Sequence, residues 1–549
     1  MITLRLRHIL LFTITLLLTA CQFEDSTDCP NNENVSASYI NLTIAVSNGN
    51  DHGTRAGEDM MPLAGEDGNG REAGFERENA VTGITLILYR VNDNNGINTT
   101  ITADNDPVLE FVRYFPVNRI ESSTASQGTA YEAGSADESH SRQIEAAYTT
   151  GPQPIGKQGV LSLDMDATYH AIVVANFDLT TGTQALTEKT SKLSDVRDIV
   201  LTKIASGSYT DAASNIGNFV MSSEEDNTLS MSGVTGTNLD GTTYTKGKDI
   251  LYDLSNQPLI IERMAARIDF WAKGATYQTK NDGGNGSGTY DQPGYVYTPV
   301  KANGTPSADR FVLTHITPFN LNSGLNGSEY LLKHLSDGLL KPETGNNYIL
   351  DPVSDNTSEE LPNKFDNNEV PTFLDNSLAD IASAWTSSSW TSNTYRHSVA
   401  DMHAQVGNGL TGGFSYKEGN FTAEDVIICY PMENTLPDES PLYYYATGIA
   451  IEGDYYTNDD VSKKEHRIYF GYIRHQGESE TAYDALLPSE LSTGTLTSSS
   501  KPMNFGIVRN NIYRISIDKV HEKTDEKPKI TLKIKVKKWD KFEHAPIYM

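Results

Sequence analysis

Cysteine is almost missing from this sequence: there are three in 549 residues, at positions 21, 29 and 429. Three thiols cannot staple a chain of this size, so a disulfide framework is excluded and the fold must rest on buried apolar surface. Cys429 stands in the apolar run VIICYP, where a thiol behaves as a small buried hydrophobe. Basic residues are also scarce, 43 Lys and Arg against 72 Asp and Glu, for a net charge of -29. A body so acidic repels phosphate backbones, which argues against nucleic acid as a partner. The twelve histidines are scattered, with none of the spacings of a zinc helix. No serine sits in a Gly-x-Ser-x-Gly elbow, and the glycine-rich GGNGSG at 283–288 lacks the Lys-Ser/Thr end of a phosphate loop. The chain is therefore expected to have no catalytic residues, no metal site and no cofactor.

A long apolar run is absent as well. The one candidate, Ile9 to Leu18, is too short to span a bilayer as a mature helix. It follows a basic start (Arg5, Arg7, His8) and ends in LTAC, a small-residue cleavage site with Cys21 directly after it. That is the pattern of a bacterial lipoprotein leader, so residues 1–20 are read as a signal peptide and Cys21 as the lipidated first residue. What remains is rich in Tyr, Thr, Ile and Val, which favours strands. Strand-like runs are GITLILYR (83–90), TYHAIVVANF (168–177), PLIIERMAARIDFWA (258–272), FVLTHI (311–316), DVIICYPMENT (425–435), PLYYYATGIAIEG (441–453), EHRIYFGYIR (465–474) and NNIYRISIDKV (510–520). Two runs have helical spacing, SKLSDVRDIVLTKI (191–204) and EYLLKHLSDGLL (329–340). Short strands between Gly, Asn, Asp and Pro turns predict two β-sandwich domains, 56–273 and 274–528, with a few short helices.

One apolar pattern occurs at both ends. INLTIAV carries Ile40, Leu42, Ile44 and Val46; ITLKIKV carries Ile530, Leu532, Ile534 and Val536 at the same spacing. Each segment can lay one face on a sandwich core and pair its backbone with a sheet edge. Nine residues after the first pattern comes Arg55, in a Gly-rich acidic stretch in which AGED occurs twice. A domain whose first strand is cut away there has an open groove and a raw edge, and a strand of the same pattern from another copy could fill it. The outward positions of the two segments differ: Asn41, Thr43 and Ala45 in the first, Lys533, Lys535 and Lys537 in the second.

GTRAGED, YHAIVVAN, PLIIERMAARIDF, YPMENT, FGIVRNNIYRISIDKV and the closing ITLKIKVKKWDKFEH, in that order, resemble the major fimbrial subunit family, the type V pilins or fimbrilins of Bacteroides-group bacteria. The likeness is greatest to the short-fimbria type. It implies transthyretin-like β-sandwiches and a lipidated precursor on the outer membrane. It further implies cleavage by an arginine-specific surface protease between Arg55 and Ala56, with residues 21–55 as propeptide, and a fimbrium built by donor-strand exchange. The partners implied are other copies of the chain and other fimbrial subunits. Arg71 and Arg77 are alternative cut sites. Residues 529–549, with Trp539, are expected to supply the donor. A removable first strand plus a tail beyond Trp539 suits a stalk subunit better than a tip or accessory one. The rival of another class is a glycan-binding β-sandwich lipoprotein, for which the tyrosine-rich YYY at 443–445 would offer a platform.

Overall fold

A computed structural model describes residues 37–42, 44–46, 71–73, 78, 80–90, 106–125, 131–132, 144–149, 156–157, 167–201, 205, 217–223, 227–245, 249–257, 259–279, 290–319, 321, 329–332, 340–343, 346–349, 396–406, 413–418, 421–434, 447–474, 483–487, 506–523, 529–540 and 547–548. Cys21, Arg55, Ala56, Arg77 and the YYY run lie outside them. The protein is mainly β, as the composition predicts.

Alternation builds the first domain. Strand β4 (Gly83–Tyr89) is buried at every position. Ile84, Leu86 and Leu88 enter a core with Phe111, Phe115 and Tyr169, while Ile87 and Tyr89 point the other way into a second, larger core. This two-sided burial is why GITLILY reads as an unbroken apolar run rather than a half-polar one. On one side β4 pairs antiparallel with β5 (Leu109–Pro116), and on the other with β6 (Thr168–Ala175). The sheet continues through β7 (Met221–Ser223) to β9 (Leu259–Arg263) and ends at β2 (Ile44–Val46). A smaller sheet holds β1 (Ala37–Leu42) between β8 (Ile250–Asp253) and β18 (Ile547–Tyr548), with Gly156–Lys157 also on β1.

The second domain packs an eight-stranded sheet against a six-stranded one. The larger contains β13 (Phe421–Cys429), β10 (Arg267–Trp271), β16 (Asn511–Val520) and β17 (Ile530–Asp540) in that lateral order, with β3 (Arg71–Ala73) against the end of β17. The smaller contains β11 (Gly294–Tyr297), β12 (Arg310–Phe319), β14 (Gly448–Tyr456) and β15 (Lys464–Tyr472).

Three expectations need correction. The run 258–272 is two strands, not one: β9 belongs to the first-domain sheet and β10 to the second-domain sheet, so the change of sheet falls at Met264–Ala266 and not at 273. Of the two helical runs, the first is helical only over α1 (Leu193–Arg197), and then Val200–Leu201 pairs antiparallel with Glu329–Tyr330 at the start of the second. Short apolar runs fit either period, and here the tertiary pairing decides. A helix not foreseen, α2 (Val399–Val406), follows a serine whose hydroxyl accepts from the Asp401 N–H at 3.1 Å and donates to the Asp401 carboxylate at 2.6 Å.

The junction between the domains is charged and fully buried. Arg267 grips Asp269 with two parallel hydrogen bonds, Nε at 2.9 Å and Nη2 at 2.8 Å, and its Nη1 reaches the Glu78 carboxylate at 3.2 Å. Glu78 also accepts from the Tyr430 hydroxyl, and its backbone carbonyl accepts from Arg263 Nε at 3.1 Å. Arg514 bonds Asp425 at 2.7 Å and approaches Asp269 at 3.4 Å. Arg267 and Arg514 thus share Asp269 and each holds a second carboxylate, Glu78 and Asp425, with every member at most 1% exposed. Nearby, Asn510 takes the left-handed conformation (φ 59) that asparagine tolerates and accepts from Arg263 at 2.8 Å. Arg509 ties Glu433 at 2.9 Å and the Tyr330 carbonyl at 2.8 Å. Replacing one partner leaves the other charged and buried, so Glu78→Ala is expected to lose about 3–5 kcal/mol of stability. A urea or guanidinium midpoint that barely moves would show the layer to be dispensable.

Candidate functional site

The first strand is the site the sequence singles out, and its geometry is unusual. It is stitched into two sheets in succession. Ser38 to Asn41 run parallel to Ile250–Asp253 of β8, and Ile44 to Val46 run parallel to Leu259–Ile261 of β9. The Asn41 carbonyl accepts from Leu254 N–H at 2.9 Å, which carries the bonding toward the turn between β8 and β9. Ile40, Leu42 and Ile44 are at most 1% exposed and pack in the first-domain core. These three alternate positions face inward, as predicted; the Val46 backbone is in the ladder. Asn41 does not point to solvent: it is buried and its amide donates to Asp253 Oδ1 at 2.9 Å. Hydrogen bonds from Ser255, and then from Asn41, hold the Asp253 carboxyl below its ordinary range despite partial burial.

By area, burying three such side chains is worth roughly 5–9 kcal/mol at most, comparable with the whole stability of a domain. It is the first strand among the described residues, and the next described segment after it is β3, in the other domain's sheet. One cut between Val46 and Arg71 turns a core strand into a separate peptide held by packing and ladder bonds alone.

The arginines expected as alternative cut sites are placed unequally. Arg55 lies outside the described residues. Arg71 is the first residue of β3, whose backbone pairs parallel with Lys538–Asp540 of β17. A protease must draw several residues in extended form into its cleft, and a backbone already in a ladder resists this. Six residues beyond Arg77 the chain enters β4, and Glu78 beside it is locked in the junction.

The C-terminal copy of the pattern is not spare. Ile530, Leu532, Ile534 and Val536 are buried in the core of their own sandwich, and β17 pairs with β16 over its length from Ile530 to Lys538. Lending this strand would open the domain that owns it, so residues 530–536 are corrected from donor to structural strand. The side chain of Trp539 lies outside the description, although its backbone continues β17. The lysines also depart from expectation. Lys535 sits opposite Arg514 and is 6% exposed, on the face that carries the charged junction, so it is no outward-facing guide. The two ends do share one feature beyond the apolar residues. Thr531, at the position equivalent to Asn41, also donates to an aspartate on the neighbouring strand, Asp484 Oδ1 at 2.9 Å.

Sequence reasoning missed what lies on the far edge of β1. Asn41 and Leu42 pair antiparallel with Tyr548 and Ile547, so the chain's last strand closes the edge of its first. A strand in the tail beyond Trp539 is expected from the sequence; that its partner is the first strand only the topology reveals.

A second cluster of charged groups lies on β14 and β15. On β14, Glu452 takes two hydrogen bonds from Arg396 at 2.9 and 2.6 Å and lies 3.2 Å from His466 Nε2, whose Nδ1 is 2.8 Å from Asp454. Lys464 bridges Asp291 at 2.6 Å and Asp454 at 3.8 Å. Burial opposes the charge on His466, but the bonds to Asp454 and Glu452 outweigh it and hold the imidazole up at about 9. His466 is shared by Glu452 and Asp454, and Lys464 by Asp291 and Asp454, an arrangement that ties β14 to β15. Among the described residues no group of three or more His, Cys, Asp or Glu side chains is placed to hold a metal ion.

No protein-family model matches the sequence, and no curated protein matches it. Solved structures similar to the chain include a fimbrilin (FimA) of Porphyromonas gingivalis, 11% identical over 92% of this chain and 98% of that one, with a TM-score of 0.31. The tip fimbrial protein Mfa3 of the same species, with a C-terminal truncation, is 10% identical over 91% and 99%, with a TM-score of 0.30. A Bacteroides eggerthii protein thought to act in cell adhesion is 10% identical over 94% and 100%, with a TM-score of 0.32.

Two outcomes follow from these geometries. Leu42→Ala in the uncut chain is expected to cost about 2–5 kcal/mol, read from its denaturation midpoint, because the hole lies in a closed core. Acid should weaken the second domain through its neutral histidines. Burial, and for His315 also the Arg396 charge, push His315 and His397 from 6.5 down to about 4. Their contribution is complete above 6.5 and is lost as the pH falls through about 4. Arg396 donates to His315 Nδ1 at 3.2 Å, so that nitrogen must stay unprotonated. His315→Gln should therefore lose less stability than the parent between pH 7 and pH 4.5; equal losses would remove His315 from the account.

Proposed function

We propose that this chain is a non-catalytic structural subunit of a surface fimbria, most simply of its stalk, and that it polymerises by protease-gated strand exchange. The observation that carries the reading is the first strand: three side chains at the centre of a core, on a segment that a single cut makes separable. A folded domain has no use for so removable a core strand unless something replaces it. In the precursor, lipid on Cys21 holds the chain at the outer membrane. An arginine-specific protease cuts after Arg55, the strand leaves, and Ala56 becomes the new N-terminus. The vacated groove runs along β8 and β9 and asks for an extended segment with apolar residues at alternate positions. Residues 541–549 of another copy are the available donor, since β17 is committed to its own core. Their sequence, KFEHAPIYM, alternates Ala545, Ile547 and Met549.

The chain has both a groove and a tail, which a stalk subunit needs. A tip needs only the groove, and an anchor must keep its lipidated end. Support for adhesion follows from the assembly rather than from any ligand pocket.

The test uses three forms of the precursor. Arg55→Ala should be exported and lipidated yet stay monomeric by size and by electron microscopy, whereas the parent should begin at Ala56 and form fibres. Fibres from the variant would move the cut to Arg71 or Arg77, or end the scheme if the triple variant also forms them. A chain ending at Asp540 should fold and be cut without polymerising. One ending at residue 528 should fail to fold, because it loses four core side chains. Normal fibres from the chain ending at Asp540 would exclude the tail as donor.

A further inference from the structure

The contact between the two ends of the chain assigns a second task to the first strand. One edge of β1 is taken by β8; the other carries Gly156–Lys157 and, beside them, Ile547–Tyr548. The tail leaves β17 at Asp540 in the second-domain sheet and has its last described residues in the first-domain sheet, on the strand that exchange must remove. We infer that the first strand is the latch of the C-terminal tail: while it is in place it fills the acceptor groove and also holds the donor, and its loss frees both at once. This rests on the strand-exchange reading and adds to it how the donor is kept in check.

The physical logic is that of one support shared by two elements. Besides β1, the tail has no ladder partner among the described residues, although it also lies close to Ile144–Thr149. Ile547 and Tyr548 pair there with Leu42 and Asn41 alone, and a two-residue strand is not stable by itself. When β1 departs, its ladder bonds to the tail go with it. The tail is then an extended apolar segment with an unpaired backbone, which is what a vacated groove binds. Before the cut the reverse holds: the groove is full and the tail is occupied, so precursor molecules have neither half of the contact to offer each other. A design in which the tail hung free would leave a sticky strand exposed throughout export. Cleavage at one point therefore switches a chain from doubly closed to doubly open, and partly competent species are avoided.

The latch is measurable without any polymer. Amide hydrogen exchange of the C-terminal fragment containing Ile547 and Tyr548 is followed in dilute solution. Three samples are compared: the uncut chain, the chain cut between Val46 and Arg71 and freed of its strand, and that cut chain with a synthetic peptide of residues 37–46 added back. Exchange should quicken on the order of tenfold when the strand is gone, as expected for loss of one or two ladder hydrogen bonds, and slow again with the peptide. Persisting protection of Gly83–Tyr89 confirms that the cut chain remains folded. Should it unfold, Ile547→Pro in the uncut chain serves instead: it removes the ladder contact with the groove still filled, and the tail should exchange at the freed rate. Tail exchange that is unchanged by strand loss, or is already unprotected in the uncut parent, overturns the latch. A tail that is freed on cleavage in a chain that never forms fibres upholds the latch and defeats the strand-exchange reading instead.

Discussion

The ion pair between Arg267 and Glu78 is the interaction on which the rest of the structure depends. It lies where the two sandwiches meet, with no exposure to water. Arg267 opens β10 of the second-domain sheet, and Glu78 lies five residues ahead of the first-domain strand β4. The pair therefore pins the chain just downstream of the region where the first strand can be severed. A strand can be lost upstream of such a pin without unravelling the sheets on its far side. Buried charge is a poor source of stability but a demanding one in geometry, since each group must find its partner or remain desolvated and alone. That demand suits a joint that holds the sheets on either side of it in one arrangement.

The same joint explains why the motifs that carry the family resemblance look unlike ordinary core sequence. PLIIERMAARIDF contributes Arg263, Arg267 and Asp269; YPMENT contributes Tyr430 and Glu433; FGIVRNNIYRISIDKV contributes Arg509, Asn510 and Arg514. Segments far apart in sequence converge on one buried cluster. Polar residues inside strand-like runs were the visible trace of it. YHAIVVAN ends in Asn176, which takes a left-handed turn (φ 62) and binds the Ala80 and Phe219 carbonyls at 2.7 and 2.8 Å, closing the same side of the first domain.

Local alternation made the strands legible, and with them the inward face of Ile40, Leu42 and Ile44. What alternation cannot show is ownership. ITLKIKV has the same inward face as INLTIAV, yet its four apolar residues belong to the sandwich of which they are already part. Likewise PLIIERMAARIDFWA is apolar enough to read as one strand, because nothing local announces that Arg263 and Arg267 face one joint from two sheets. The end of the first helical run and the start of the second mislead for a related reason: a few apolar residues fit a helix or a strand, and for Val200–Leu201 and Glu329–Tyr330 the pairing with each other settles it. That the tail could form a strand was legible in its alternation, but its pairing with the first strand was not, since a partner far away in sequence leaves no local mark.

The parallel course of the first strand along both β8 and β9 has a mechanical consequence. A strand paired on an edge of one sheet can be peeled away one hydrogen bond at a time by a pull across its axis. A strand that crosses from one sheet to another must be sheared from both, and its inward side chains must be dragged together past the core. Any segment that comes to occupy this track inherits that loading geometry. A pull along this track is borne by many bonds acting in concert, because the ladder to β8, the ladder to β9 and the packing of three core side chains must yield together.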